Sequence, residues 1–287
     1  MTIPCLPARP VTEPPRASRI ALACDCHFHI FGAAAHYPFT PRRDYTPPEA
    51  PLDAYRAMAA QLGLERHVIV QPSVYGTDNS CTLDALAALG REHSRAVVVL
   101  DEAAIQHSDL AAMTDAGVRG VRFNMVNAGG PSLDQLSAIA RRIAPFGWHV
   151  QLFLQGRQIS DMRSVLAQLA TPVVIDHMGL VIPGSAGYAQ HLDALRGLLG
   201  TGRAWVKLCG YRASAAGHPY HDVAPLARAL LEAAPERCVW GTDWPHPGLQ
   251  DQMPADAHLF DLLAAWTPAE DVRRRVLVDN PAQLYGF

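Results

Sequence analysis

Two histidines spaced one residue apart begin the part of the sequence that could do chemistry. His27 and His29 follow an apolar run at residues 20–23, and in an extended strand their side chains point to the same side. Two imidazoles at the end of a strand can bind a metal ion or hold an oxygen atom by hydrogen bonds. An isolated pair of this kind also fits two surface or core histidines, so its meaning depends on which other polar groups the fold brings to it.

Short apolar segments alternate with helical patterns along the chain, which favours an α/β fold. The first predicted strand carries His27 and His29, and seven more cover residues 67–73, 96–100, 118–124, 148–155, 172–176, 204–209 and 238–241. Repeated β-α units imply parallel strands with right-handed crossovers, and 287 residues is the usual length of one (β/α)8, or TIM, barrel. No Gly-x-Gly-x-x-Gly turn follows the first strand, which argues against a dinucleotide-binding sheet. We therefore predict one barrel over residues 20–287, preceded by a short, irregular and loosely ordered N-terminal arm at residues 1–19.

The composition narrows the choice of partners. The net charge is −3, with no cluster of basic residues, so we expect neither nucleic acid nor an anionic membrane as a partner. No apolar stretch approaches the length that spans a bilayer, and residues 1–19 lack the apolar core of a signal peptide. The six cysteines form no C-x-x-C pair, which favours reduced thiols and a cytoplasmic location. Composition carries no signal of oligomeric state.

Other polar residues follow the later strands, at the end of the barrel where active sites form. Arg122 is predicted to face the barrel mouth beside Gly120, and a buried arginine needs an anionic partner. Strand alternation places His177 inward together with Val173 and Ile175. The remaining candidates at this rim are Ser73, with Tyr75 and Thr77 just beyond it, Arg212 and Asp243. Each residue alone could be structural, but their common placement predicts a functional site.

The motifs at these strand ends resemble those of the amidohydrolase superfamily. They are His27-x-His29, Asp176-His177-x-Gly179 and Gly241-Thr-Asp243-Trp-Pro245. The segments at residues 76–79, 117–124 and 279–281 narrow the resemblance to relatives of 2-pyrone-4,6-dicarboxylate lactonase and galactarolactone isomerase, from about Cys24 to the C-terminus. The resemblance implies lactone ring chemistry without an obligatory metal ion.

The resemblance also implies a role for each matching residue. Asp243 would activate water, and His27, His29 and His177 would polarise the lactone carbonyl group. The residues implied to bind substrate oxygens are Tyr45, Ser73, Arg122 and Arg212. Arginines of the pyrone lactonase are replaced here by Ala128 and Leu180, and a tyrosine of its fifth strand is replaced by Phe153. We therefore expect a lactone with fewer anionic groups than the pyrone dicarboxylate, such as a sugar-acid lactone or an aromatic breakdown product.

Several alternatives stay open from the sequence. Attack by a substrate hydroxyl instead of water would make the protein a lactone isomerase. His27, His29 and Asp243 could also form a three-ligand zinc or manganese site of a metal-dependent hydrolase or decarboxylase, although we favour no tightly bound cofactor. A non-catalytic barrel that binds a small acid is the remaining alternative.

Overall fold

An eight-stranded parallel barrel forms the centre of the protein. The computed structural model describes residues 2–127 and 133–287, and within them the strands of this sheet lie side by side in chain order. The strands are β1 (Cys24–Phe28), β2 (Arg66–Val70), β3 (Ser94–Val98), β4 (Val118–Asn124), β5 (His149–Phe153), β6 (Val173–Ile175), β7 (Ala204–Leu208) and β8 (Cys238–Trp240). Every paired strand is parallel to its neighbour, so the predicted single (β/α)8 barrel is confirmed.

A helix follows each strand and packs against the outside of the sheet. The helices are α1 (Leu52–Leu62), α2 (Ser80–Leu89), α3 (His107–Ala116), α4 (Leu136–Ile143), α5 (Gly156–Ala167), α6 (Tyr188–Leu199), α7 (Ala224–Ala233) and α8 (Asp256–Trp266), with α9 (Glu270–Arg274) and α10 (Asn280–Tyr285) closing the chain. Within the described ranges we find no helix with the length and apolar character needed to cross a membrane.

Two hydrophobic layers fill the structure, one inside the barrel and one between the sheet and the helices. Val174 belongs to the inner layer, whereas Val173 and Ile175 belong to the outer one. The predicted inward orientation of Val173 and Ile175 is therefore wrong by one residue. The alternation gives Asp176 the next inward position, and His177 also turns inward because the strand ends and its backbone adopts a φ of 50°.

The barrel closes between its first and last strands by main-chain hydrogen bonds near the site. The amide of Asp243 donates to the carbonyl of His27 at 2.7 Å, and the amide of His29 donates to the carbonyl of Trp244 at 2.8 Å. The two segments that carry His27, His29 and Asp243 are therefore held to each other directly.

A buried carboxylate strengthens the same closure. Asp25 accepts hydrogen bonds from the amide of Thr242 at 3.0 Å, the hydroxyl of Thr242 at 2.7 Å, the amide of His27 at 3.0 Å and the hydroxyl of Tyr55 at 3.3 Å. Asp25 has no exposed surface, so no water molecule can take its place as the acceptor for these donors. Asp25 thus joins β1 to the turn after β8.

Replacing Asp25 with alanine should lower the free energy of unfolding by about 3–5 kcal/mol, because each buried donor left without an acceptor costs about 1–3 kcal/mol. Urea denaturation followed by circular dichroism measures the change. Thr242→Val removes one of the hydroxyl donors and should cost less. Equal stability of Asp25→Ala and the wild-type protein would show that the closure does not depend on this carboxylate.

The N-terminal arm lies against the mouth of the barrel. Its strand Ile3–Pro4 pairs in parallel with the strand Tyr45–Thr46, and the amide of Leu6 donates to the carbonyl of Leu249 at 2.9 Å. The arm is irregular, as predicted, but these contacts differ from the loosely ordered segment that its composition suggested. Main-chain hydrogen bonds and the packing of Cys5, Ala8, Val11 and Ala17 against the core hold the arm in place.

Candidate active site

The three predicted histidines and the predicted aspartate meet at the carboxyl ends of β1, β6 and β8. Nε2 of His29 lies 3.4 Å from Oδ1 of Asp243, Nε2 of His27 lies 3.6 Å from it, and Nε2 of His177 lies 3.9 Å from it. All four side chains are at most 2% exposed. One carboxylate oxygen therefore faces three imidazole nitrogens in a site shielded from bulk water.

The two oxygens of Asp243 have different surroundings. Oδ2 accepts hydrogen bonds from Nε of Arg212 at 2.6 Å and from the hydroxyl of Tyr211. Oδ1 is buried and has no hydrogen-bond partner among the described residues. Because a buried carboxylate oxygen is normally satisfied, a free Oδ1 is available to a water molecule or a ligand.

The charges around Asp243 keep it ionised. Burial alone would raise the pKa of Asp243, but Arg212 and the neighbouring histidines hold that pKa well below its usual range. Burial lowers the pKa of all three histidines, in the case of His177 to about 4. At neutral pH the site therefore combines an ionised carboxylate with neutral imidazoles, as a general base beside hydrogen-bonding groups requires.

These shifts predict a flat pH profile. Between about pH 5 and pH 8 neither Asp243 nor His177 changes protonation, so kcat/KM for a cyclic ester should stay constant there and fall only below that range. Initial rates from pH 4 to pH 9, with a substrate that does not itself titrate in this range, measure the profile. An inflection near pH 6.5 that is retained in Asp25→Asn would contradict the assignment, since burial raises the pKa of Asp25 to about 7 and Asp25 titrates in the same range.

A cavity of about 150 Å³ lies above the histidines and the aspartate. Its walls combine two arginines with a few neutral polar and apolar groups. The lining residues used below are His29, Tyr45, Arg122, Phe153, His177, Arg212 and Asp243. A space of this size, with two guanidinium groups on its wall, suits a small anionic ligand.

The predicted substrate-binding residues divide into two groups. Arg122, Arg212 and Tyr45 line the cavity, and the hydroxyl of Ser73 lies behind, 3.4 Å from that of Tyr45. The structure places Tyr75 and Thr77 outside it. The hydroxyl of Tyr75 accepts a hydrogen bond from the amide of Gly32, and Thr77 is exposed on a neighbouring surface, because the chain turns away from the mouth after β2.

Phe153, Leu180 and Ala128 stand where the pyrone lactonase has a tyrosine and two arginines, and their surroundings differ. Phe153 lines the cavity and lies under the guanidinium of Arg122, whose Cζ is 5.6 Å from the ring centre. Leu180 lies outside, beside a groove with Arg157. Ala128 falls outside the described residues. Of these substitutions, the one at Phe153 therefore bears directly on the cavity.

Sequence reasoning missed three groups beneath and beside the site. Asp176 was read only as part of a motif, yet its Oδ1 lies 3.2 Å from Nδ1 of His27. Lys207 in β7 lies 3.3 Å from the same nitrogen, and Tyr211 binds Asp243. A signal for Lys207 was present, because it is the only lysine of the sequence and stands within the apolar strand Ala204–Leu208.

The histidine and aspartate donors also fit a divalent metal ion. The two histidine Nε2 atoms lie 3.3 Å apart, and they lie 3.6 Å and 3.4 Å from Oδ1 of Asp243. Tetrahedral zinc with bonds of about 2.0–2.1 Å separates its ligand atoms by about 3.3–3.4 Å. Nδ1 of His29 lies 2.7 Å from the carbonyl of Val70, an outer partner of the kind that orients metal-binding histidines. His27, His29 and Asp243 therefore form a group that could hold a metal ion.

A parallel barrel with this histidine–aspartate centre at the carboxyl ends of its strands has the arrangement of an active site in this fold. The sequence profile described as "Amidohydrolase" matches residues 24–287, and the chain belongs to this family. The resemblance read from the motifs is thereby confirmed.

Three characterised relatives match over most of the chain. The 4-sulfomuconolactone hydrolase of Hydrogenophaga intermedia is 39% identical, over 91% of this chain and 88% of the relative. The 2-pyrone-4,6-dicarboxylate hydrolase of Comamonas testosteroni is 38% identical, over 92% and 90%. The D-galactarolactone isomerase of Agrobacterium fabrum is 34% identical, over 94% and 92%. Among solved structures, an apo protein of Agrobacterium tumefaciens shares 32% identity with a TM-score of 0.88, covering 97% of this chain and 99% of that one.

Proposed function

We propose that this protein is a hydrolase that opens the ring of a small carboxylated lactone. The observation that carries the proposal is the free, buried Oδ1 of Asp243, which faces three neutral imidazoles beside a cavity lined by Arg122 and Arg212. The two hydrolases named above, which act on lactone or pyrone rings, support the reaction class.

In the proposed reaction, Asp243 acts as general base. Its Oδ1 takes a proton from water as the water oxygen bonds to the lactone carbonyl carbon, while Arg212 and Tyr211 hold Oδ2 and fix the carboxylate plane. The ring C–O bond then breaks, and the proton on Asp243 passes to the leaving ring oxygen. The products are a hydroxyl group, or the keto form of an enol, and a carboxylic acid that loses its proton to solvent.

His177 stabilises the charge that develops on the carbonyl oxygen. Its Nε2 lies 3.9 Å from Oδ1 of Asp243, so His177 can donate a hydrogen bond to an oxygen next to the attacked carbon, whereas His29 has its proton on Nδ1, towards the carbonyl of Val70. One hydrogen-bond donor of this kind is typically worth about 10²–10³ in rate. The imidazoles remain neutral, because burial lowers the pKa of each.

The cavity wall selects an anionic substrate. Nε of Arg122 faces Asp176 at 3.4 Å and its Nη1 donates to the carbonyl of Gln71 at 3.0 Å, which leaves the Nη2 amine for a ligand carboxylate. Tyr45, supported by Ser73, offers a hydroxyl to a second oxygen. Phe153 supplies an apolar surface, so we propose a lactone with fewer anionic groups than the pyrone dicarboxylate.

A second candidate reaction is lactone isomerisation, which the 34% identical galactarolactone isomerase supports. A hydroxyl group of the substrate would then replace water as the nucleophile, and Asp243 would serve it in the same way. A decarboxylase or a non-catalytic acid-binding barrel has no comparable support among these relatives.

The proposed reaction needs no tightly bound metal ion, since Asp243 supplies the base and His177 supplies the oxyanion donor. A divalent ion held by His27, His29 and Asp243 would add polarisation of the carbonyl oxygen when bound.

All six cysteines are free thiols, which supports the expected reducing, cytoplasmic environment.

The test is turnover of a lactone panel followed by NMR, with metal content determined on the same protein preparation. The panel contains 4-sulfomuconolactone, 2-pyrone-4,6-dicarboxylate and D-galactarolactone, each assayed after chelation and after addition of Zn²⁺ or Mn²⁺. A ring-opened acid supports hydrolysis, and an isomeric ring without net hydrolysis assigns isomerisation instead. Loss of activity on chelation with recovery on one metal overturns the metal-free reaction, and no turnover of any lactone overturns the proposed function.

A further inference from the structure

The single lysine of the sequence lies completely buried beneath His27. Its Nζ donates to the carbonyl of Cys26 at 2.8 Å and to Oε1 of Gln151 at 2.7 Å. Two acceptors lie near its third proton, Nδ1 of His27 at 3.3 Å and Oδ1 of Asp176 at 3.6 Å. The ammonium group of Lys207 has three protons, so after its first two bonds one proton remains for either acceptor.

The neighbouring histidine has a fixed tautomer. Nδ1 of His29 lies 2.7 Å from the carbonyl oxygen of Val70, which can only accept, so this nitrogen carries the proton. Nε2 of His29 therefore presents its lone pair to Nε2 of His27, 3.3 Å away.

His27 consequently has two consistent arrangements that hold the same number of protons. With its proton on Nε2, His27 donates to His29 and its Nδ1 accepts from Lys207. With its proton on Nδ1, His27 faces Oδ1 of Asp176, which lies 3.2 Å away and otherwise has no hydrogen-bond partner among the described residues. In that second arrangement the lone pairs of His27 and His29 and the free oxygen of Asp243 converge, which is the donor set that a cation requires.

We propose that Lys207 and Asp176 set the affinity of this centre for a divalent cation by competing for Nδ1 of His27. Lys207 favours the arrangement without a cation, and Asp176 favours the arrangement that binds one. The ammonium charge of Lys207 acts in the same direction as its hydrogen bond, because it repels a cation held by His27. Lys207 is thus a positioning residue, and the inference goes beyond the proposed function because cation binding is measured without a substrate.

Two variants, each similar in shape to the side chain that it replaces, test the proposal because they should have opposite effects. Lys207→Met removes the donor and its charge, and it should tighten Zn²⁺ binding about 10–100-fold; Asp176→Asn weakens the acceptor and should loosen Zn²⁺ binding by a similar factor. Zn²⁺ affinity is measured by competition with a chromophoric chelator on the chelator-treated proteins. A purely structural role for either residue would loosen binding in both variants. Shifts in the same direction, unchanged affinities, or no measurable Zn²⁺ binding by Lys207→Met overturn the proposal.

The wild-type protein provides a test that does not depend on a variant folding. Nitrogen-15 labelling of lysine side chains gives one ammonium resonance, because the sequence contains one lysine, and labelled histidines report which ring nitrogen is protonated. In the metal-free protein we expect the proton of His27 on Nε2, moving to Nδ1 when Zn²⁺ is added. A proton on Nδ1 in the metal-free protein overturns the proposal, whether or not any lactone is turned over.

Discussion

Replacing Asp243 with asparagine should lower kcat/KM for lactone hydrolysis by about 10³–10⁴-fold. The amide keeps the size of the side chain and one oxygen for Arg212 and Tyr211, but it cannot accept the proton of the attacking water. Because the loss concerns proton transfer, kcat should fall while KM for the lactone changes little. Steady-state kinetics with the best substrate of the panel measures both constants.

A surface aspartate provides the matched control for this variant. Asp161 pairs with Arg157 at 3.6 Å on the exposed face of α5 and does not line the cavity, so Asp161→Asn should retain full activity. Circular dichroism and thermal unfolding of both variants check that the barrel is intact. A folded Asp243→Asn protein with wild-type turnover would exclude Asp243 as the base, whatever the lactone.

The sequence was informative where side-chain alternation runs uninterrupted to the end of a strand. The predicted strand at residues 118–124 has the same limits as Val118–Asn124, and Arg122 faces the mouth as expected. Asp243 also faces the site as expected, but it lies beyond the end of β8 and its backbone has a φ of 62°, so alternation along the strand does not by itself explain its position. Alternation is a local property, so a sequence can reveal it.

Alternation failed where the backbone leaves the extended conformation. His177 reaches the site through a left-handed turn, so its inward position was predicted for the wrong reason, and Asp176 was overlooked. Tyr75 and Thr77 were counted with the site because they follow Ser73 in sequence, yet the chain turns there into a short 3-10 helix. Position after a strand end does not by itself decide whether a side chain faces the cavity.

The buried network beneath His27 was the least accessible part of the site. Lys207, Asp176 and Gln151 come from three different strands or strand ends, and only the closed barrel brings them together. A buried lysine is costly unless it is paired, so a lone lysine in an apolar strand is itself a signal of hidden partners. Which partners it has depends on register across the barrel, and no local pattern contains that information.

Replacing Arg122 with methionine should raise KM for a carboxylated lactone about 10–100-fold, because a charge-assisted hydrogen bond to an arginine contributes about 1.5–3 kcal/mol. Arg122 lines the cavity; its Nη1 donates to the carbonyl of Gln71, and its Nε lies 3.4 Å from Asp176 without a hydrogen bond, so Nη2 is the amine that we propose for the ligand. Methionine keeps most of the apolar stem against Phe153. Kinetics on a carboxylated lactone and on its methyl ester measure the effect.

The comparison of the two substrates separates recognition from structural damage. The methyl ester has no charge for Arg122 to bind, so wild-type and Arg122→Met proteins should hydrolyse it with similar kcat/KM, while they differ strongly on the free acid. Arg122 also contacts Asp176, whose remaining partners are Lys207, Gln151 and His27, so a general disturbance of this network would reduce turnover of both substrates alike. An equal loss on acid and ester would therefore assign Arg122 to the support of the histidines, and the anionic selectivity of the cavity would then depend on Arg212.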